Sequence, residues 1–373
     1  MALCTITDAA VITALGNTPE ELWRRVMAGE TAIRPVDRFP VDSYQAQVAA
    51  CIDNLKPSDG RSMLYTLLNR LLSEMGPVPS DASLITATTK AGIDNLELLC
   101  QGKSADFQDI LPYSVSDTVS RKMGLAASGI NINAACASST VAVAHGAALI
   151  ASGRAEAVLI CCADLVTEFV FAGFSALKAL SPVPCRPFDR NRLGLSLGEG
   201  AAALHLMNAE RAQWEKRGRL GTILGWGVAN DATHITAPAK SGRGLIQAIE
   251  QALETAGRKA EEIAAVNAHG TGTVYNDIME LTAFRKIFGE RKVPLYSVKG
   301  AIGHTLGAAG GIEVALGLKT LAAQTVPPTV GLREPMKEAV PLVSRLPQPF
   351  SGDCLLTTNS GFGGINAALI LGD

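Results

Sequence analysis

Short apolar runs, glycine-rich turns and helical segments follow one another along the chain, and the same order occurs twice. The runs that predict strands are β-branched or apolar and lie at residues 83–89, 129–133, 155–163, 263–267 and 295–299. The segments that predict helices lie at residues 18–23, 64–75, 136–152, 244–256, 277–288 and about 306–323. Three prolines between residues 180 and 192 predict an irregular surface segment. Strands that alternate with helices predict an α/β fold.

The two occurrences of this order of strands and helices meet near the middle of the chain. Gly198-Glu-Gly-Ala-Ala-Ala closes the first half, and Gly361-Phe-Gly-Gly-Ile-Asn-Ala-Ala closes the chain with a similar succession of small and aliphatic residues. A length of 373 residues also fits two units of ordinary domain size. We therefore predict two duplicated α/β halves, residues 1–210 and residues 211–373.

Composition excludes several classes of protein. Hydrophobic residues make up 47% of the chain and charged residues 18%, which excludes a disordered chain. The 33 Lys and Arg balance 35 Asp and Glu, so the charge does not predict nucleic-acid binding. No signal peptide and no run of about 18 uninterrupted apolar residues is found, so we expect a soluble, cytoplasmic protein. Eight scattered cysteines without metal-ligand spacing predict reduced thiols and no bound metal.

The first candidate for chemistry is Cys136, in the segment Asn133-Ala-Ala-Cys136-Ala-Ser-Ser-Thr. The predicted strand before it turns sharply into a helix, so the helix macrodipole and nearby N–H groups should favour the thiolate. The same turn leaves the backbone N–H of Cys136 free to stabilise an oxyanion. The alternative for a lone cysteine is a small buried hydrophobic residue.

Two histidines occupy similar turns in the second half. His269 is followed by Gly-Thr-Gly-Thr, and His304 by Thr-Leu-Gly-Ala-Ala-Gly-Gly, and these glycines admit the close approach of a ligand. A cysteine with one histidine would also fit a papain-like protease, but the second histidine and the repeated turns have no place in that scheme. The other histidines and a vicinal cysteine pair lack this context and are interpreted as structural: His145, His205, His234, Cys161 and Cys162.

These three segments resemble the β-ketoacyl-acyl carrier protein synthases, the decarboxylating condensing enzymes of the thiolase superfamily. Further motifs extend the resemblance over nearly the whole chain, in family order: Leu15-Gly-Asn-Thr-Pro-Glu-Glu-Leu-Trp, Pro187-Phe-Asp-Arg-Asn-Arg, Gly198-Glu-Gly and Asn359-Ser-Gly-Phe-Gly-Gly-Ile-Asn. The resemblance implies a thiolase-like five-layer αβαβα fold built from the two halves. It also implies a homodimer, or a heterodimer with a related chain-length subunit. It implies no cofactor, since the substrates travel on the phosphopantetheine arm of an acyl carrier protein.

The resemblance assigns roles to four residues. Cys136 takes an acyl chain from the carrier protein as a thioester, and His269 and His304 promote the decarboxylation of malonyl-carrier protein. The resulting carbanion attacks the acyl-cysteine carbonyl and gives a 3-ketoacyl product that is two carbons longer. The backbone N–H groups of Cys136 and Phe362 form the oxyanion hole, and Phe362 lies in a gating loop.

Lys299 and Glu313 flank His304 and match a lysine and a glutamate that lie near the active site in the family. Taken alone, Lys299 would be a surface charge at a strand end and Glu313 a solvent-facing helix position. Glu313 lies among glycine, alanine, isoleucine and valine, however, and a buried charge without a partner is costly. We therefore predict that the two residues pair.

The resemblance also implies residues that bind substrate and carrier. Thr271, Thr273 and Gly363 match positions that contact the phosphopantetheine arm or the substrate, and turn chemistry is the alternative for the threonines. The carrier protein is acidic, so its docking surface should be basic. Arg61 and Arg186 are candidates by position, with ordinary solvated surface charge as the alternative.

The sequence departs from the family pattern at three places. Asn359-Ser-Gly-Phe-Gly-Gly is one residue and one aromatic shorter than the usual Asn-Ser-Phe-Gly-Phe-Gly-Gly, Lys299-Gly replaces Lys-Ser, and Arg192-Leu-Gly replaces Arg-Asp-Gly. These departures favour a specialised pathway, such as polyketide or aryl-polyene-type synthesis, over housekeeping fatty acid synthesis.

Two alternative functions stay open beside condensation. One is a catalytically weak subunit that determines chain length in a heterodimer, although such subunits typically lose the cysteine that this chain keeps. The other is a thiolase that acts on coenzyme A thioesters. Thiolases use a second cysteine near the C-terminus, and Cys354 does not lie in that motif.

Overall fold

The computed structural model describes residues 2–58 and 60–373. Ten strands form the main β-structure, and in chain order they are β1 (Cys4–Thr13), β2 (Ser83–Ala87), β3 (Ile130–Ile132), β4 (Ala157–Asp164), β5 (Gly200–Asn208), β6 (Gly221–Asn230), β7 (Ile263–Asn267), β8 (Leu295–Tyr296), β9 (Cys354–Gly361) and β10 (Ile365–Gly372). Five shorter strands form two small separate sheets: Arg34–Pro35, Val48–Ala50 and Leu197–Gly198 in one, Thr325–Val326 and Gln348–Pro349 in the other.

Helices connect and cover these strands. They are α1 (Pro19–Met27), α2 (Met63–Ser73), α3 (Ile93–Cys100), α4 (Pro112–Met123), α5 (Ser138–Ala151), α6 (Glu168–Ala176), α7 (Ala209–Trp214), α8 (Arg243–Ala256), α9 (Val274–Phe288), α10 (Lys299–Ile302) and α11 (Ala309–Ala323). Short 3₁₀ segments lie at Phe107–Ile110, Ala260–Glu262, Leu306–Ala308 and Lys337–Ala339. α1 begins as its sequence predicts, because Thr18 accepts a hydrogen bond from the backbone N–H of Glu21 and Pro19 takes the first helical position.

The two halves of the chain share one strand topology. Across the whole array the order is β8-β7-β9-β10-β6-β1-β5-β4-β2-β3. When the strands are numbered within each half, both halves follow the spatial order 3-2-4-5-1, and their first strands, β6 and β1, pair antiparallel where the halves meet. The residue at which the units divide stays a prediction, because α7 spans residue 210.

The layers follow from where the apolar faces pack. α5 and α11 lie in the middle, and each contacts strands of both halves. α2 and α4 cover the outer face of the first unit, while α8 and α9 cover that of the second. This arrangement is the predicted thiolase-like five-layer αβαβα fold. The run Leu306–Ala323, which includes α11, is long and apolar enough by composition to cross a membrane, but 83% of it is buried in the protein.

Close packing of α5 against α11 brings together the turns that precede them. A Cβ added at Gly310 would lie only 2.0 Å from Oγ1 of Thr140 and 2.7 Å from its backbone nitrogen. Only glycine therefore allows the two helices to approach this closely. Cys136 lies just before α5 and His304 lies shortly before α11, so the contact fixes the two residues near one another.

Two element boundaries of the sequence prediction were wrong. The strand predicted at residues 295–299 ends at Tyr296, and Lys299 instead begins the short helix α10. The helix predicted from Cys136 begins at Ser138, because Cys136 belongs to the turn before it.

The segment at residues 180–192 forms no regular helix or strand, as predicted, but it is not a surface segment throughout. Cys185 and Phe188 within it are fully buried. The second half packs over it, and the backbone N–H of Phe188 donates to the carboxylate of Asp277 at 2.8 Å. Prolines in the sequence indicated irregular structure but carried no information on burial.

Candidate active site

The turn that carries Cys136 is held in a single conformation. Ala135 has a φ of +49°, in the left-handed region that non-glycine residues rarely adopt. Ser138 supports the turn, since its Oγ accepts from Ala134 N at 2.9 Å and donates to Ala135 O at 2.5 Å. The side chain of Cys136 is thereby placed at the end of β3, with only 7% of the residue exposed.

The closing loop of the chain lies directly against this turn. A Cβ at Gly361 would lie 2.9 Å from Ala134 O and 3.2 Å from Cys136 N, so no larger residue fits without displacing one of them. The backbone N–H of the next residue, Phe362, is near enough to the Cys136 sulfur to lower the pKa of the thiol slightly. The Phe362 ring stacks on Phe174 with ring centroids 5.7 Å apart. The predicted oxyanion-hole residues, Cys136 and Phe362, are therefore adjacent.

His269 and His304 lie side by side, with ring centroids 5.1 Å apart and planes at 84°. The turn of His269 is held by Glu280, whose carboxylate accepts from the backbone N–H groups of His269 and Gly270, both at 2.7 Å. Nδ1 of His304 accepts from the backbone N–H of Leu306 at 3.4 Å, which leaves the proton of a neutral ring on Nε2.

The predicted pairing of Lys299 with Glu313 is present. The Lys299 Nζ lies 2.5 Å from Glu313 Oε1, and both side chains are 1% exposed. The other carboxylate oxygen of Glu313 accepts from Nδ2 of Asn359 at 2.5 Å. Burial, followed by the positive charge of Lys299, holds the pKa of both His269 and His304 well below the usual range. Both imidazoles are therefore neutral at neutral pH.

The prediction that the turn favours a thiolate was wrong, because burial outweighs it. Desolvation raises the pKa of Cys136 to about 11, and the charges of Lys90 and Lys299 lower it only in part. The thiol is neutral at rest, so it must lose its proton when it reacts. The neutral imidazole of His269 in the same cavity is able to accept that proton, whereas the acceptor nitrogen of His304 is already bonded to Leu306.

Two cavities meet at Cys136. We call the larger one, of about 440 Å³, the histidine cavity, since it is lined by His269 and His304 together with Thr271 and Thr273. The smaller one, of about 330 Å³, is lined by Lys90, and we call it the lysine cavity. Four residues line both cavities: Cys136, Phe174, Leu177 and Phe362. The cysteine is thus open to a group on either side.

Other predicted residues lie in varied places. Arg186 lies beside the histidine cavity, because its backbone adjoins Gly272, which stands between Thr271 and Thr273 of the cavity lining. Arg61 lines neither cavity; its guanidinium pairs with Asp109 at 2.7 Å and lies over a tyrosine ring. Gly363 also lines neither cavity, and its N–H donates to Ile235 O at 2.6 Å. The docking and substrate-binding roles of Arg61, Arg186 and Gly363 stay predictions.

The histidines interpreted as structural divide into three cases. His145 is exposed on α5, and His205 is buried, with Nδ1 3.0 Å from Thr7 Oγ1 and a pKa that burial lowers to about 4. His234 lines the histidine cavity, which the sequence did not indicate, although its Nδ1 accepts two backbone N–H bonds that fold its own loop. Cys161 and Cys162 are buried within β4.

Sequence reasoning missed two residues at the site, Lys90 and Glu280. Lys90 follows β2, and Glu280 lies on α9 behind the His269 turn. The signal for Lys90 was available, since a polar Thr-Thr-Lys segment directly follows an apolar strand. Among residues 2–58 and 60–373, no group of three His, Cys, Asp or Glu side chains could hold a metal ion.

A thiolase-like fold with a cysteine and two histidines around one cavity defines the class of thiolase-superfamily acyltransferases. Comparison with known proteins gives the family. A profile of the beta-ketoacyl synthase N-terminal domain matches residues 84–212, and one of its C-terminal domain matches residues 220–333. The chain is 31% identical over 405 residues to 3-oxoacyl-[acyl-carrier-protein] synthase 2 of Vibrio cholerae, covering 98% of this chain and 97% of that one. The chain belongs to the beta-ketoacyl synthase family.

Relatives from specialised pathways match about as well. The tetracenomycin polyketide synthase ketoacyl synthase alpha subunit of Streptomyces glaucescens is 31% identical over 98% of this chain and 96% of its own length. Among solved structures, the ishigamide ketosynthase/chain length factor superposes with a TM-score of 0.90 at 27% identity, covering 100% of this chain and 99% of that one. The departures in the closing loop thus occur within a fold that matches the ishigamide ketosynthase/chain length factor over the whole chain.

Proposed function

We propose that the protein catalyses the decarboxylative Claisen condensation of an acyl group on Cys136 with malonyl-acyl carrier protein. The product is a 3-ketoacyl-acyl carrier protein. One observation carries the proposal: a thiol and two neutral imidazoles line one cavity, together with Phe362 of the closing loop. This set provides a nucleophile, proton acceptors and hydrogen-bond donors without a metal or cofactor.

The first half-reaction loads the enzyme. The Cys136 sulfur attacks the thioester carbonyl of an acyl-carrier protein, and its proton passes to an imidazole and then to the departing pantetheine thiolate. The developing oxyanion accepts from the N–H groups of Cys136 and Phe362. The carrier thiol leaves, and the acyl group stays on the enzyme as a thioester that survives until a carbon nucleophile arrives.

The second half-reaction generates that nucleophile in place. Malonyl-carrier protein enters the histidine cavity, and its thioester oxygen accepts from His269 and His304. The bond to the carboxylate breaks, carbon dioxide leaves, and the electron pair moves into an enolate that the two donors stabilise. The enolate carbon then attacks the acyl-Cys136 carbonyl, and the cysteine leaves as a thiolate. Neutral imidazoles suit this step, because they donate hydrogen bonds without giving up a proton early.

The proposal extends to partners and pathway. The carrier protein docks near the mouth of the histidine cavity, and Thr271 and Thr273, whose Oγ1 atoms lie 2.9 Å apart, hydrogen-bond its arm. The edge strand β3 has an exposed Ile130 and is the place for a second copy or a related chain-length subunit. The shortened closing loop supports a specialised polyketide or polyene pathway over housekeeping fatty acid synthesis, in the cytoplasm.

Intact mass spectrometry tests the proposal. The protein is mixed with acyl-carrier thioesters of several chain lengths, and the matched variant is Cys136→Ala. We expect an adduct of the acyl mass on the wild-type protein and none on the variant, followed by a 3-ketoacyl product when malonyl-carrier protein is added. If no chain forms an adduct, the protein is instead a chain-length subunit or needs a companion to be loaded.

A further inference from the structure

The lysine cavity has an almost entirely apolar wall with one cation in it. Seven apolar side chains line it: Ala135, Phe169, Val170, Phe174, Leu177, Leu306 and Phe362. Besides Cys136, the residues with polar side chains are Thr89, Lys90 and Asn133. The Asn133 amide is partly used, since one hydrogen of Nδ2 is donated to Thr89 O at 3.0 Å and Oδ1 accepts from Ala135 N at 3.3 Å. Lys90 is therefore the one charged donor that lines the cavity.

A chain of two hydrogen bonds, from Lys90 to Thr89 and from Thr89 to Asp164, holds the Lys90 ammonium in place. Asp164 is buried, and its carboxylate accepts from the hydroxyls of Thr88 and Thr89 and from the backbone N–H of Gly307. Because Thr89 donates its own hydrogen to Asp164, its oxygen is free to accept from Nζ of Lys90, at 2.9 Å. The ammonium has three hydrogens, and this bond uses one of them.

In the part of the chain that the structure describes, no carboxylate pairs with Lys90 directly. Within residues 2–58 and 60–373 it takes part in no ion pair of 4.0 Å or less, and no acidic residue lines the lysine cavity. The other lysine of the site, Lys299, is by contrast paired with Glu313 at 2.5 Å. An ammonium covered by an apolar chain with no acceptor loses hydration without compensation. The group that fills the cavity therefore determines whether the remaining hydrogens of the Lys90 ammonium find an acceptor.

We propose that Lys90 makes the lysine cavity selective for acyl groups that carry an oxygen acceptor toward their far end, a carboxylate or a hydroxyl or carbonyl oxygen. This inference rests on the proposed function, in which the acyl group sits on Cys136. The histidine cavity must take the malonyl group beside its two imidazoles, so the acyl group on the shared cysteine extends into the other cavity. There its chain packs against the apolar wall and its oxygen accepts from Lys90.

The selection comes mainly from rejection of unsubstituted chains. A site built to hydrogen-bond a substrate oxygen rejects the analogue without it strongly, because a buried polar group is then left unpaired. Lys90 is only partly buried, so water at the rim reduces this penalty. We expect a preference of roughly tenfold or more for the oxygenated chain.

The test compares acyl groups that differ only at the far end. Thioesters of butyryl, 4-hydroxybutyryl and succinyl, and of hexanoyl, 6-hydroxyhexanoyl and adipoyl, are presented on the same carrier arm. The rate of formation of the acyl-Cys136 adduct is followed by intact mass. We expect the wild-type protein to load an oxygenated chain at least about tenfold faster than its plain counterpart at one of the two lengths. The chains that end in a hydroxyl and those that end in a carboxylate distinguish a neutral from an anionic acceptor.

Variants of Lys90 make the result specific. Lys90→Met should reduce the preference to about onefold or reverse it, whereas Lys90→Arg, which keeps a charged donor, should retain it. Lys122→Met is the matched control, because Lys122 is exposed on α4 and lines neither cavity. The ratio between chains is the readout, so a general change in cysteine reactivity or in folded fraction cancels.

Three results would overturn the inference. One is a wild-type protein that loads plain and oxygenated chains at equal rates, and another is a Lys90→Met variant that keeps the full preference. In either case Cys136 still forms adducts, so the proposed function survives. Absence of every adduct would instead remove the proposed function and this inference with it.

Discussion

The two halves of the molecule place different chemistry at equivalent points of one topology. In each half, the segments that follow the second strand and the third strand face the central site. In the first half these segments carry Lys90 and Cys136, and in the second half they carry His269 and, after the short helix α10, His304. One duplicated scaffold therefore surrounds the reacting centre with a cation and a thiol on one side and two neutral rings on the other.

The difference between the halves extends to how each lysine is balanced. Lys299, in the second half, is fully buried and paired with Glu313, and its charge adds to burial in lowering the pKa of both histidines. Lys90, in the first half, is partly exposed and has no acidic partner within 4.0 Å among residues 2–58 and 60–373. A buried pair is fixed and structural, whereas an unpaired cation at a cavity is available to a ligand.

The largest effect we predict is on stability, from breaking the buried pair. Glu313→Gln leaves Lys299 buried without a counter-charge, which should lower the free energy of unfolding by about 3–5 kcal/mol. Urea denaturation measures this change. The double variant Lys299→Met/Glu313→Gln should recover most of the loss, because it leaves no unpaired charge.

The control for this prediction lies on the same helix. Lys319 on α11 pairs with Glu20 at 2.5 Å, but both side chains are partly exposed, at 32% and 69%. Lys319→Met should therefore change the free energy of unfolding by less than about 1 kcal/mol. Equal costs for Glu313→Gln and Lys319→Met would show that the second half does not depend on its buried pair.

The next effect concerns the histidines. His269→Ala and His304→Ala should each lower the rate of carbon dioxide release from malonyl-carrier protein by ~10²–10³, since each removes one donor from the enolate oxygen. Loading of Cys136 should fall less than this, and least in His304→Ala, because the His304 ring is not free to accept the thiol proton. His145→Ala is the matched control, because His145 is exposed on α5 in the first half. Release of carbon dioxide at the wild-type rate by both variants would mean that these rings do not promote decarboxylation as proposed.

The sequence was sufficient for the parts of the site that form locally. A sharp strand-to-helix turn pointed to Cys136, and glycine-rich turns pointed to His269 and His304. An acid among small apolar residues pointed to the pairing of Glu313. The resemblance to a family then gave the five-layer fold. These features depend on residues close together in the chain, and their chemistry is visible without knowing how the halves pack.

The sequence was insufficient where function depends on packing between distant segments. Lys90 meets Cys136 only because β2 and β3 lie side by side at the sheet edge. The close contact of Gly310 with Thr140, which sets the two central helices, joins opposite halves. Burial also reversed one expectation, because the helix N-terminus favours a thiolate but desolvation raises the pKa of Cys136. None of these effects follows from a local pattern.

The smallest predicted effect tests whether the first half holds a thiol or a thiolate. Cys136 is alkylated with iodoacetamide in a Cys100→Ser background, since Cys100 is exposed and the other cysteines are buried. With a pKa of about 11, the thiolate fraction rises about tenfold per unit below that value, so the rate should climb steadily from pH 7 to pH 10. Lys90→Met should raise this pKa and slow alkylation at each pH by roughly two- to tenfold, a modest change because the charge is partly screened.

The sign of this shift separates the two halves. A positive charge favours the thiolate, so its removal must move the profile to higher pH, and Lys122→Met should leave it in place. An alkylation rate that is already constant above pH 8 would mean that the effect of the helix N-terminus outweighs that of burial, and that Cys136 is already a thiolate at that pH. In that case the histidines would not be needed to accept the thiol proton. A profile that climbs to pH 10 and moves upward without Lys90 would instead show a neutral thiol whose reactivity depends on the cation beside it.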